Sequence, residues 1–436
     1  MDSRKKLLIV PGYGIYPLSL GSSVAQHGMI DYLRRHFEIS LFVAPNNVSA
    51  AHLPELEAAW PDVHFFKWGY EAPAPAPTPP LLRCLHWARK HYRKWPGNNR
   101  SQKNKDLKNI LFTLSLVSAT VPRNKAIRLA GLVEKSAFDL VQFDLPDNIG
   151  LAHALGPSRA RRVFVHHEIK TERVRSHMAA RGVNDAYTRY LHGSLQAVET
   201  GHLNAYDAVI VLTEEDKARL VDKLKIAPPV HVSPFAAPEA FDLGVNRCPE
   251  DYSVERIIFL GPSQHFPNFD SVEWLMEKVY PKVYPKLERP WCILGKWNLE
   301  DEKVRRWAEL PGVTFTGFVD DLAPYFTNAV MLAPVRIGGG IKTKILQGMM
   351  NRLPVIGHRF SFEGIDPVNG ESALVRETAE DYTEAILELA STPRKAFDIG
   401  SSARELVGRR FNLDHVGAIR KHVIDEILFE CANGMN

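Results

Sequence analysis

The stretch that decides the fold is Ala333–Gly364, APVRIGGGIKTKILQGMMNRLPVIGHRFSFEG. An apolar strand ends at Ala333-Pro334, three glycines follow at 338–340, and a helix is predicted to start near Ile341. Glycine lets the backbone approach a ligand closely, and the first turn of a helix offers unpaired N–H groups at the positive end of its dipole. Loop and helix together suit a diphosphate. Arg336 just before the loop, with Lys342 and Lys344 in the predicted first turn, adds positive charge. Basic residues oppose the dipole at a helix N-terminus, and a bound phosphate is a reason for placing them there. The competing reading of the glycines is a tight turn into a helix. The loop is not Walker A, because Gly-x4-Gly-Lys-Ser/Thr is absent. Nor is it the dinucleotide fingerprint, which follows the first strand of its domain.

Outward from this segment, short apolar runs alternate with longer amphipathic stretches, the rhythm of an α/β protein with parallel sheets. The first half offers strands at Leu7–Val10, Ile39–Ala44, Val63–Phe66, Leu140–Phe143, Val163–Val165 and Ala208–Leu212. The second offers Ile257–Leu260, Cys292–Leu294, Val313–Thr316, Val330–Ala333 and Pro354–Ile356. Ala227–Asp242, with prolines at 228, 229, 234 and 238, reads as a linker. Two domains follow, 1–235 and 236–412, and the late stretch 413–436 is helical in pattern.

The bulk composition fits that division. The 436 residues suffice for two cores. A net charge of +4, with 45% hydrophobic and 24% charged residues, is that of a soluble globular protein and not of a dedicated nucleic-acid binder. The four cysteines form no Cys-x-x-Cys pair, which removes zinc knuckles and thioredoxin-like motifs. The opening MDSRKKLLIV ends its apolar run at Pro11-Gly12 and reads as a first strand rather than a signal peptide. No run of 18 apolar residues occurs. The expectation is a cytoplasmic protein, soluble or peripheral on the inner face of the plasma membrane.

One insertion, 71–122, breaks the rhythm. EAPAPAPTPP at Glu71–Pro80 is predicted to be polyproline-like. In Leu81–Lys108, nine Lys and Arg residues face one acid, Asp106, with Trp87, Tyr92 and Trp95 interleaved. A solvated basic surface is one reading. Contact with an anionic membrane or an anionic lipid-linked acceptor is the other. Nucleic acid is not expected, because no binding motif accompanies the charge.

Pro334–Gly364 resembles the donor-site signature of family-four (group 1) glycosyltransferases of the GT-B fold. The resemblance extends in order along the chain. Phe259-Leu260-Gly261 with Pro267-Asn268, then Val313–Val319 (VTFTGFV) with Asp320-Asp321, are similar to the family's donor domain. Val198-Glu199, Tyr206–Ile210, Thr213–Asp216 and the amino-terminal PGYGIYPLSLGSS are similar to its acceptor domain. The resemblance implies two facing Rossmann-like domains with parallel sheets and a C-terminal helix crossing back to the first. It places a nucleoside-diphosphate sugar on the second domain, against Gly261, Phe318, Arg336, Gly338, Gly339, Gly340, Ile341, Lys342, Lys344, Gln347 and Glu363. Neither a metal nor a cofactor is implied: Asp-x-Asp is absent, and Lys342, Lys344 and the helix dipole would meet the phosphate charge. The chain departs from the family at Gly339 and Gln347, where the familiar form has two glutamates, and at Pro262 and Asn268, where it has Arg and Lys.

His166 and His167 end a strand of the first domain (VFVHHE). Strand ends facing a cleft are where open α/β sheets bind ligands. The resemblance puts a histidine here beside the leaving phosphate. Adjacent side chains on a strand point to opposite faces, so one histidine is expected in the cleft and a shared zinc is not. A structural pair is the other reading. Glu168 would serve the acceptor or cap the next helix, Glu199 would orient that loop, and Gly21 would shape the acceptor loop. The expected reaction is retaining transfer of a hexosyl-type unit to a hydroxyl of a lipid-linked or polysaccharide acceptor. Kept beside it are a nucleotide-sugar epimerase and a non-catalytic nucleotide-sugar-binding scaffold, the latter because of Gln347.

Overall fold

The computed structural model describes residues 4–12, 14–18, 21–70, 102–118 and 121–433. Seven parallel strands form the first sheet: β1 (Lys6–Val10), β2 (Glu38–Val43), β3 (His64–Lys67), β4 (Leu140–Asp144), β5 (Arg161–His166), β6 (Ala208–Val211) and β7 (Val230–Val232). Their order is β3-β2-β1-β4-β5-β6-β7. Six more form the second: β8 (Arg256–Leu260), β9 (Trp291–Leu294), β10 (Val313–Gly317), β11 (Ala329–Ala333), β12 (Val355–Gly357) and β13 (Leu374–Val375), ordered β10-β9-β8-β11-β12-β13. Every pairing is parallel, so all carboxyl ends of a sheet share one edge.

Strands such as β4 (LVQFD) and β11 (AVMLA) are buried along their whole length, because helices cover both faces of each sheet. The first sheet has one core under helices Gly21–Leu33 and Leu413–Asn433 and another under Arg123–Lys135 and Ala186–Leu203. The second is sandwiched likewise. The chain passes between the domains at Phe235–Ala237, where Ala236 packs into the first core and its neighbours into the second. Val416, Val423, Ile424 and Ile427 of the last helix belong to the first sheet's core.

All eleven expected strands form, within a residue or two at their ends. Two strands were not anticipated. β7 lies inside the stretch read as a linker: Pro228-Pro229 precede it, and an edge strand tolerates proline at its start. β13 is two residues long. The segment read as a Pro-rich and basic insertion lies outside the described residues over 71–101 and 119–120; its helical remainder, Gln102–Ser118, is described. Asp106, the one acid of the basic stretch, is buried there against His177 Nε2 (3.0 Å) and Arg181 Nε (3.4 Å). No helix among the described residues is long and apolar enough to cross a membrane.

Candidate active site between the domains

In each sheet the strand order reverses once, between β1 and β4 and between β8 and β11. Connections diverge at such a point and leave a crevice outside the carboxyl ends. At the second sheet's reversal, the loops after β8 and β11 carry Gly261 and Gly338–Gly340.

The glycine loop is shaped by what faces it. Gly338 and Gly340 have φ of +123° and +62°, backbone that side chains rarely adopt. A Cβ on Gly340 would lie 2.4 Å from the His167 carbonyl oxygen, and one on Gly338 would lie 3.3 Å from Glu168 Oε1. The loop therefore touches the end of β5 from the other domain. The Gly338 N–H donates to Ser176 Oγ across the same cleft (3.1 Å). The helix that follows is Thr343–Met350, two residues later than expected, with Lys342 at its N-cap in extended conformation and no side chain capping it. Ile341 is buried in the second core.

The two lysines take different positions. Lys342 Nζ donates to the Phe360 carbonyl (2.7 Å), lies over that ring, and stands 3.6 Å from Glu363. Burial lowers its pKa, and Glu363 opposes the shift. Lys344 Nζ donates to Asn268 Oδ1 (2.6 Å) and lies 4.4 Å from the Phe259 ring centre. Burial, then the charge of Lys342, brings its pKa down to about 7. Asn268 also packs under Gly261, whose φ is +146°.

Other expected donor residues are engaged elsewhere. Arg336 holds Asp270 through Nε and Nη2 (3.1 and 2.9 Å), and Asp270 also accepts from Arg181 of the first domain (3.1 Å). Glu363 accepts from Arg219 of the first domain (2.5 and 3.3 Å). Asp270 and Glu363 thus bridge the domains, and Arg336 is held through Asp270. Gln347 is half-buried, and its side chain makes no hydrogen bond among the described residues. Phe318 is 59% exposed beside Lys296 on the same carboxyl edge as Gly261.

The histidines separate as alternation requires. His166 is fully buried, with Nε2 3.1 Å from Glu199 Oε1 and no partner for Nδ1 among the described residues. Glu199 also accepts from the Lys170 and Thr171 N–H groups and the Thr171 hydroxyl, capping helix Lys170–Arg181. Burial opposes its charge, but these donors and His166 hold its pKa below the ordinary value. His167 is the partly exposed one: its backbone carbonyl packs on the glycine loop, and its ring Nε2 lies 3.2 Å from Asp144 Oδ1. Asp144 is buried and accepts from Gln142 Nε2 on its other oxygen (2.8 Å). Arg420 of the last helix stands near; burial lowers it to about 10, with Asp144 opposing. Ser233 fixes Arg420 at 2.8 Å. Glu168 contacts the glycine loop and is held by Lys170 and Arg173; burial disfavours its charge, but these cations keep its pKa well below the carboxylate range. Gly21 begins helix Gly21–Leu33 on the first domain, away from these groups in sequence but on the same edge of its sheet.

Sequence reading missed Asp144, Ser176, Arg181, Arg219, Asp270 and Arg420. No local pattern marks them, because each works through a distant partner: 162 positions separate Ser176 from Gly338 and 187 separate Ser233 from Arg420.

Two parallel Rossmann-like domains facing across a cleft, with a glycine loop of one against the strand end of the other, define the GT-B glycosyltransferase fold. Residues 254–392 match the family of glycosyl transferases group 1, which bears out the resemblance read from the sequence. Sucrose-phosphate synthase from Thermosynechococcus elongatus superposes with a TM-score of 0.67 at 14% identity, over 97% of this chain and 99% of that one. HepE from Anabaena, solved with UDP and glucose, gives 0.58 at 11%, over 97% and 100%. The UDP-forming α,α-trehalose-phosphate synthase from Burkholderia vietnamiensis gives 0.61 at 10%, over 100% and 99%. At such identities these likenesses show the fold alone. No curated protein matches the sequence. Family match and fold together support a transferase acting by glycosyl transfer.

Proposed function

We propose that this protein is a retaining glycosyltransferase moving a hexosyl unit from a nucleoside-diphosphate sugar to a hydroxyl acceptor. The observation that carries the reading is the glycine loop 338–340 at the β8/β11 reversal, with Lys344 on its helix and His167 against it from the other domain. The loop amides, helix N-terminus and Lys344 would hold the diphosphate. Lys342 adds charge behind them, and this supply of cationic charge is what supports transfer without a metal. Gln347 would meet a ribose hydroxyl with a neutral amide. Glu363 and Phe318 would border the sugar and the base. His167 would donate toward charge developing on the leaving oxygen.

Within a retaining reaction, the state of the carboxylates supports front-side attack over double displacement. A double displacement needs a free carboxylate as nucleophile. Glu168 is held by Lys170 and Arg173, and Glu363 by Arg219. The remaining route positions the acceptor and stabilises the leaving diphosphate. The acceptor is proposed to be a lipid-linked or polysaccharide hydroxyl, met at the cytoplasmic face of the plasma membrane. The basic residues between 81 and 108 support that placement, together with Leu111 and Phe112, 40% and 56% exposed on helix Gln102–Ser118.

The test is turnover of UDP-, GDP-, ADP- and dTDP-sugars, followed by release of nucleoside diphosphate and by NMR of the product anomer. Release from one donor with the anomeric configuration kept is expected. Inversion would overturn the mechanism. Nucleotide binding with no turnover on any acceptor would favour the scaffold reading, for which Gln347 in place of a carboxylate is the specific observation.

A further inference from the structure

The last helix, Leu413–Asn433, sends Val416, Val423, Ile424 and Ile427 into the first sheet's core. Their spacing puts them on one face of the helix. Arg420 lies on that same face, between Val416 and Val423, and is only 3% exposed. A guanidinium inside an apolar stripe is costly unless hydrogen bonds and an opposite charge compensate it. Its hydrogen bonds go to one residue: Nε donates to Ser233 Oγ (2.8 Å) and Nη2 to the Ser233 carbonyl (3.2 Å). Both acceptors are neutral. Ser233 is itself buried, just ahead of the crossing between the domains at Phe235–Ala237.

The opposite charge is Asp144. It counters the fall in the Arg420 pKa that burial causes, although no direct ion pair joins the two among the described residues. Both groups line a cavity of about 20 Å³, whose other polar walls are Gln26, Gln142 and His167. The remaining wall is apolar. Gln142 spends its Nε2 on Asp144 Oδ2 (2.8 Å), while its Oε1 is buried with no hydrogen-bond partner among the described residues. A space of this size admits one water where two or more polar groups face it. A water there would meet a donor in Arg420 and acceptors in Asp144 and Gln142 Oε1. On its other side Asp144 meets His167, whose Nε2 stands 3.2 Å from Oδ1.

We propose that Arg420 is a positioning residue for His167: its buried charge, set across the cavity, balances the Asp144 carboxylate that holds the histidine ring. The proposal rests on the transferase reading and extends it to the end of the chain. A carboxylate can only accept, so the His167 proton sits on Nε2 and Nδ1 is the nitrogen left for the reaction. A buried carboxyl without a counter-charge drifts to its neutral form, which donates instead and would turn the ring into the opposite tautomer. The helix that carries Arg420 follows Phe411 of the second domain's core, so the chain that has crossed back from the second domain supplies this charge to the first.

Nitrogen-15 NMR of the histidine rings in the full, unliganded chain tests it, with the His167 signals assigned through His167→Gln. The wild type is expected to show the proton on Nε2. Arg420→Met removes the charge at similar length, and Arg420→Gln removes it while keeping a donor for Ser233, so one of the two remains to be read where the other does not fold. Both should lose the fixed Nε2–H state, and Arg420→Lys, which keeps the charge, should restore it. On a donor that turns over, the neutral variants should lower kcat by at least about tenfold, part of the roughly 100-fold that a misplaced acid–base group costs, with nucleotide dissociation constants unchanged. A His167 ring unaltered in a folded neutral variant, or an Arg420→Lys ring altered as much as theirs, would overturn the proposal. The ring signature needs no turnover, which separates the two claims: a ring that depends on the Arg420 charge, with no donor consumed, would leave the positioning role standing and remove the transferase.

Discussion

Lys344 sits at the proposed donor loop with its pKa brought down to about 7 by burial, so its charge changes across the range in which the protein would work. Only the ammonium pairs with a diphosphate. Nucleoside-diphosphate affinity should therefore fall above pH 7, approaching about tenfold per pH unit until the bound-state pKa is reached. Stability of the free protein moves the other way. The unfolded chain keeps the Lys344 proton up to the ordinary value of 10.5, while the folded chain gives it up above about 7. The unfolded state binds more protons in that window, and this residue's contribution to stability rises with pH through it. Titration calorimetry should show proton uptake on nucleotide binding, and Lys344→Arg should flatten the pH dependence. A second prediction concerns His167. Asp144 fixes its Nε2, so Asp144→Asn should lower kcat by about 100-fold, the scale of a misplaced acid–base group, and alter the pH–rate profile. Nucleotide dissociation constants should not change, which calorimetry on the same variant checks. The glycine loop that carries Lys342 and Lys344 into a helix was legible because a strand–glycine turn–helix is a local pattern of a few residues. Asp144 was not, since nothing near it in sequence shows that His167, 23 positions on, reaches back to it. The pairing of adjacent histidines to opposite faces was legible, but not which one meets the cleft; that depends on Glu199 claiming His166.

The glycine loop and the strand end opposite it act as one contact. Gly340 combines positive φ with a 2.4 Å approach of any Cβ to the His167 carbonyl, so Gly340→Ala strains the backbone and pushes the domains apart. Such backbone strain costs about 1–3 kcal/mol. The expected outcome is a lower melting temperature and donor affinity reduced by about tenfold, read by calorimetry; an unchanged donor affinity would mean that the loop does not form the site. Among the elements, long apolar strands were readable from their runs alone, β8 (RIIFL) and β11 (AVMLA) being the clearest. β7 and β13 were not, because three- and two-residue edge strands carry too few side chains to show a period, and prolines before β7 speak for a linker. Helix Thr343–Met350 starts two residues late because the chain stays extended at Lys342, whose side chain is drawn toward Phe360 and Glu363.

Across the whole molecule, the closed arrangement is held by polar contacts around the cleft. Arg181 reaches Asp270 and Glu273, Arg336 shares Asp270, Arg219 holds Glu363, and Ser176 accepts from Gly338. Asp270 is fully buried between two arginines, and breaking one partner of such a pair costs about 3–5 kcal/mol. Asp270→Asn should open the molecule, seen as a larger radius of gyration in small-angle scattering, and a saturating nucleotide should partly reverse the change. An unchanged radius would show that the clasp does not set the closure. The two-sheet architecture was legible from the order of strands and signatures along the chain, while the contacts that join the domains were not, since Arg181 and Asp270 are 89 positions apart. The central claim is that the loop Gly338–Lys344 receives a nucleoside diphosphate, and thermal unfolding of wild type and Lys344→Met with UDP, GDP, ADP, dTDP and their sugars tests it most directly. One nucleotide at about 100 times its dissociation constant should stabilise the wild type by about 2.7 kcal/mol, and Lys344→Met should lose most of that gain. Stabilisation by none of them at millimolar concentration, or a full shift retained in Lys344→Met, would contradict the claim.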